Sequence, residues 1–115
     1  MNLKNAGAEV YVPDGSAVET AWSRTTSMGV VAHQDDLEIL CYPGILEAFQ
    51  NPRKWFAGVV MTNGSGSART GLYADCSDED MCRIRRKEQK KAAFVGEYSA
   101  VALLDFPRSE ERRVG

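Results

Sequence analysis

Histidine is almost missing from this sequence: of 115 residues only His33 carries an imidazole, so no site that needs several histidines can be completed from these residues alone. Cysteine is scarce too. Cys41, Cys76 and Cys82 cannot all pair within one chain and none lies in a C-x-x-C arrangement, which points to a reducing compartment rather than a disulfide scaffold, although Cys76 and Cys82 could meet. No stretch approaches the ~18 apolar residues of a membrane span, and the opening Met1 to Glu9 has no apolar leader core. A cytoplasmic location with no membrane partner is the expectation. Charge of one sign is also lacking. With 14 basic and 16 acidic residues the net charge is -2, which excludes a general nucleic-acid or membrane-surface binder. What remains, 115 residues with 43% hydrophobic content, is enough for one domain that buries somewhat under ~70% of its unfolded surface.

Against this sparse background residues 28 to 39 stand out. Met28 to Ala32 is a short apolar run, too short for a helix and with the β-branched pair Val30-Val31 of a buried strand. It ends on His33, and Asp35, Asp36 and Glu38 follow at once. Open α/β sheets bind ligands at the carboxyl ends of their strands, which is where His33 should emerge. If the chain then turns into a helix near Asp36, positions i and i+3 converge, with Asp35 beside them. Imidazole and carboxylate at such spacing suit a divalent metal, and Asp35 could take a proton from metal-activated water. The plain alternative is a solvated helix start, with one Asp as N-cap and the other acids favouring the helix dipole.

The rest of the chain reads as alternating elements. Glu9 to Val12 suggests a short extended segment stopped by the turn residues Pro13-Asp14-Gly15-Ser16, and Ala17 to Thr25 a short helical turn whose Trp22 packs over a sheet edge. Leu37 to Gln50 reads as a helix with Leu37, Leu40, Cys41, Gly44 and Ala48 on one face, irregular near Pro43. Cys41 there is a small packing residue. Trp55 to Met61 is a second buried strand. The first strand, this helix and the second strand make a βαβ unit with a right-handed crossover, so both strands end at one edge.

The loop Thr62-Asn63-Gly64-Ser65-Gly66-Ser67 lacks the spacing of a phosphate loop or a dinucleotide site. Its glycines instead let backbone amides approach a polar ligand such as a sugar, whose hydroxyls Arg69 could reach. Ser77 caps a further helix with Asp78, Glu79 and Asp80 in its first turn and Gly96 at its end. Met81, Ile84, Arg85, Glu88, Ala92 and Val95 fall on one stripe of it, so Arg85 and Glu88 should face inward and pair. Arg86, Lys87, Lys90 and Lys91 look like a solvated face. Ala100 to Leu104 is a third strand, and Asp105 after it could face the ligand edge or cap a turn. Three segments result: an arm (1–26), an α/β domain (27–107) and a charged tail (108–115).

His33-Gln34-Asp35-Asp36-Leu37-Glu38, preceded by Val30-Val31-Ala32, resembles the Ala-His-Pro-Asp-Asp-x-Glu signature of the LmbE-like, or PIG-L, family of zinc-dependent N-acetylglucosaminyl deacetylases. Cys41 and Gly44 in the first helix, Thr62-Asn63-Gly64, and Arg85-x-x-Glu88-x-x-x-Ala92 with Gly96 follow in that family's order. The resemblance runs from about Met28 to Pro107. It implies a Rossmann-like parallel sheet with flanking helices, here the amino-terminal part of the family fold, with His33 and Asp36 as ligands to zinc or another divalent metal. It makes Asp35 the general base, puts Thr62 and Gly64 near the substrate, and gives Glu38, Arg85 and Glu88 a supporting place behind the site. Gln34 replaces the usual proline, which alters backbone stiffness but no ligand.

A hydrolytic zinc site normally has three protein ligands and a water. This chain offers two, because the family's third is a histidine downstream and the only one here is His33; Cys76 or Asp105 could stand in, but no spacing selects either. The expected function is a metal-dependent hydrolase that removes acetyl from an N-acetylated sugar or glycoconjugate, present here without its third ligand. The alternative is a non-catalytic α/β module that binds a sugar or a protein partner. Self-association into a homo-oligomer is left open.

Overall fold

The computed structural model describes residues 3, 5–33, 36–63 and 77–106. Within them the elements run β1 (Glu9–Tyr11), α1 (Val18–Arg24), β2 (Ser27–Val31), α2 (Asp36–Leu40), α3 (Tyr42–Ala48), β3 (Phe56–Thr62), α4 (Asp78–Val95) and β4 (Ala100–Phe106). The strands form one sheet in the order β1-β4-β3-β2. β2, β3 and β4 are parallel, as the β-branched apolar runs imply, whereas β1 joins the edge of β4 antiparallel. The fold is α/β with a mixed sheet. Its antiparallel edge comes from the amino-terminal arm, whose place in the sheet the sequence did not disclose.

Strand alternation sorts the two faces. Val31, Phe56, Val60, Val101 and Leu103 point to one side, where Leu37 of α2, Ile45 and Ala48 of α3 and Ala93 of α4 complete the main core. Ala100 and Ala102 point the other way and are buried too. α1 packs on β4 from that side, with Ala21 fully buried and its carbonyl accepting a 2.7 Å bond from Ser99 Oγ.

The position of α2 follows from two glycines. A Cβ on Gly29 would lie 2.5 Å from Cys41 Sγ, and one on Gly58 would lie 2.5 Å from Leu37 Cδ1. Leu37 therefore sits down between β2 and β3, and Cys41 packs directly on β2. This fixes the first turn of α2 close over the strand ends. Pro43 does interrupt the helical stretch, but as a full break: the chain leaves the helix at Cys41 and restarts with Pro43 in the first turn of α3. The break rotates Leu40 outward to 69% exposure, so it is not on the buried face expected of a single helix.

α4 begins as expected, with Ser77 Oγ accepting from the Asp80 amide at 3.1 Å and Asp80 returning the bond to the Ser77 amide. Its buried stripe is Met81, Gln89 and Ala93, which displaces the expected one: Val95 is 65% exposed. Gln89 turns inward because it finds a polar partner there, described below. Arg86 and Lys90 are not a solvated face. Both hold Glu9 of β1, at 2.7 and 3.0 Å, because the antiparallel pairing of β1 places Glu9 on the helical side of the sheet. Burial pushes the Glu9 carboxyl up, but its bonds to Arg86 and Lys90 outweigh this and leave it below the usual carboxylate range.

Candidate metal centre

His33 lies two residues beyond the end of β2, at the carboxyl edge of the parallel strands, and its carbonyl accepts from the Asp36 amide at 3.3 Å as α2 begins. That turn brings the two side chains together: His33 Nδ1 and Asp36 Oδ2 are 3.4 Å apart. Both remain accessible, at 59% and 33% exposure. The separation is informative. Two donors each ~2.1 Å from a tetrahedral ion lie about 3.4 Å apart, so an imidazole nitrogen and a carboxylate oxygen stand here at the span of two zinc ligands. Asp35 lies outside the described residues. No third His, Cys, Asp or Glu joins the pair among the described residues.

Behind the pair, Glu38 follows Asp36 by two residues in the first turn of α2. Its Oε2 accepts from the Tyr98 hydroxyl and, at 3.4 Å, from Gln89 Nε2. Burial, followed by this bond to Glu38, pushes the Tyr98 hydroxyl far above its ordinary range. The network ties α2 to α4 and to Tyr98, two residues before β4. The sequence reading missed both partners. A tyrosine next to a buried strand needs a partner for its hydroxyl, and Gln89 stands four residues from both Arg85 and Ala93; those were the available signals.

Arg85 and Glu88 are paired at 2.7 Å, but Glu88 is 39% exposed and so does not share the burial expected for it. The helix stripe passes through Gln89 instead. Thr62 is buried at the end of β3, with its amide bonded to the Ala32 carbonyl at 2.9 Å. Gly64, Arg69 and Cys76 lie outside the described residues. Asp105 faces the same edge with a left-handed backbone (φ 66°) beside a register shift between β3 and β4. It binds Arg86 at 3.2 Å, and with Thr62, Asn63, Arg86 and Leu103 it lines a recess of about 10 Å³. Asp105 is thus engaged by a cation rather than placed with His33 and Asp36.

A family model described as PIG-L: GlcNAc-PI de-N-acetylase matches residues 28–114. The chain belongs to the PIG-L family. The match begins in β2 and takes in His33, Asp36 and the other two parallel strands, β3 and β4, so the family assignment and the His33–Asp36 pair concern the same part of the fold. Membership in PIG-L suggests a function of the deacetylase type. No curated protein and no solved structure gave a match. Among the described residues no helix is long and apolar enough to cross a membrane.

Proposed function

We propose that this PIG-L chain carries the metal-binding edge of a hydrolase that removes acetyl from an N-acetylated sugar or glycoconjugate. The observation that carries the reading is the 3.4 Å approach of His33 Nδ1 and Asp36 Oδ2 at the carboxyl edge of the sheet. Imidazole and carboxylate suit zinc or another divalent ion. Bound there, such an ion would supply Lewis acidity towards water and towards the acetyl carbonyl.

In this proposal Asp35, between the two ligands in sequence, accepts the proton of the attacking water and delivers it to the departing amine. Gly64 and Arg69 meet the sugar, Thr62 is buried at the end of β3 that leads to them, and Glu38, bonded to Tyr98 and Gln89, steadies the helix that starts at Asp36. Arg85 and Glu88 brace the same helix layer. The third ligand is assigned to a histidine outside residues 1–115, because the single histidine is already His33.

Acetate release from N-acetylglucosaminyl substrates tests this, with the chain supplied with such a histidine-bearing segment. Asp35→Asn should lower turnover by about 10² to 10⁴ while leaving metal bound, because it removes a base and not a ligand. Full activity in that variant would overturn the role of Asp35. No acetate release from any version, with metal bound, would favour the non-catalytic sugar-binding module.

A further inference from the structure

The opposite, amino edge of the parallel strands holds an open cavity of about 530 Å³, within the size range of small-molecule sites. Trp55, just before β3, and Tyr98, just before β4, line it together with Pro13, Pro52 and Phe94. Gln50, Asn51 and Glu97 supply polar groups at its rim.

Two of these rim residues are held in an unfavourable backbone. Gln50 follows α3 with φ 54°, and Glu97 follows α4 with φ 58°. Left-handed residues that end helices are usually glycine, because any Cβ is penalised there. Here both positions keep a long polar side chain instead, and the two are joined by a 3.0 Å bond from the Gln50 amide to Glu97 Oε1. Strain of this kind collects at ligand clamps. Among the described residues the Gln50 side-chain amide, Asn51 Nδ2 and Glu97 Oε2 have no hydrogen-bond partner.

The charges around the cavity restrict what it takes. Asp14 is paired with Arg24 and Lys54 with Glu47, at 2.8 and 2.7 Å. The Arg24 guanidinium also lies 3.7 Å from the centroid of the Trp55 ring, so that ring is already engaged by a cation and does not form a cage for a second one. An anion would meet the Glu97 carboxylate. An uncharged ring with an apolar face and hydroxyls around its edge satisfies the aromatic and proline walls together with the free amide and carboxylate groups of the rim.

We propose that this cavity is a saccharide-binding site, separate from the His33–Asp36 edge and independent of metal. The test is a titration of the 1–115 chain in the presence of a chelator, followed by amide and indole NMR shifts. The probes are N,N′-diacetylchitobiose, maltose, choline and benzoate. At least one disaccharide should shift the Trp55 indole and the Gln50, Asn51 and Glu97 amides saturably, and choline and benzoate should not. Phe94→Ala, at a side chain 63% exposed and so removable without disturbing the core, should weaken binding about tenfold. Glu97→Gly distinguishes function from fold: it relieves the left-handed backbone, so the thermal midpoint should hold or rise while disaccharide binding falls. Binding unchanged in Glu97→Gly, no saturable shift with either disaccharide, or saturation of the same signals by choline or benzoate would each overturn the proposal. Because the chelator removes any metal contribution, a failed deacetylase assay would leave this result unaffected.

Discussion

At the amino edge of the parallel strands Arg24 donates hydrogen bonds to Asp14, Ser16, the Ser99 hydroxyl and the Ser99 carbonyl, and stacks on Trp55. At the carboxyl edge His33 and Asp36 have, among the described residues, only each other as side-chain partners. The contrast separates two uses of polar residues. Arg24 is saturated by protein groups and holds the turn 13–16, α1 and the start of β4 in one piece. His33 and Asp36 are brought together where α2 begins, yet their donor atoms are left available. Glu38 lies between these extremes, two residues beyond Asp36 and tied to Tyr98 and Gln89.

If the division is right, substitutions should separate stability from metal binding. The largest stability effect is expected at Leu37, fully buried against Gly29 and Gly58. Leu37→Ala should cost about 2–5 kcal/mol by denaturant unfolding, and should loosen the start of α2 that positions Asp36. Arg24→Ala should cost about 1–3 kcal/mol, because it removes several charged hydrogen bonds and the contact with Trp55 at once. Metal affinity should not change with it. A variant that lost both to the same degree would erase the distinction between the edges.

A smaller effect is expected from acid. Hydrogen bonding by Arg24 holds the Asp14 carboxyl far below its ordinary value, and Glu9 is also lowered against its burial. Both folded values lie below those of the unfolded chain, near ~4, so this stabilisation is fully present above that pH and is lost as pH falls through the folded values. Unfolding midpoints measured downward from pH 6 should therefore decline below about pH 4. In Arg24→Ala the decline should be shallower. The smallest change in stability is expected at the open edge: His33→Ala should move the unfolding free energy by no more than about 0.5 kcal/mol, because the side chain is exposed and has one partner.

How much of this was legible in sequence depends on the range of the interaction. β2, β3, β4 and the cap of α4 follow from local apolar runs and a Ser-Asp spacing, and the structure has them within a residue or two. The meeting of His33 and Asp36 is also local, a matter of one turn. β1 was visible only as an extended segment because its pairing with β4 joins residues ninety or more positions apart, Glu9 with Leu103 among them. That pairing recruits Arg86 and Lys90, so their roles were hidden with it. Gln89 could not be placed without Glu38 and Tyr98, and the outward turn of Leu40 depends on how completely the helix breaks before Pro43.

The most direct test of the account is metal titration of the chain by calorimetry, comparing the native sequence with Asp36→Asn and His33→Ala. The account predicts weak zinc binding at one site, since a ligand is missing, and its loss in either variant while the thermal midpoints stay close to that of the native chain. Loss of a supporting hydrogen bond alone typically costs ~10 to 100-fold, so removing one of two ligands should cost at least as much. Zinc binding of the same affinity in both variants would contradict the assignment of His33 and Asp36 as the ligands.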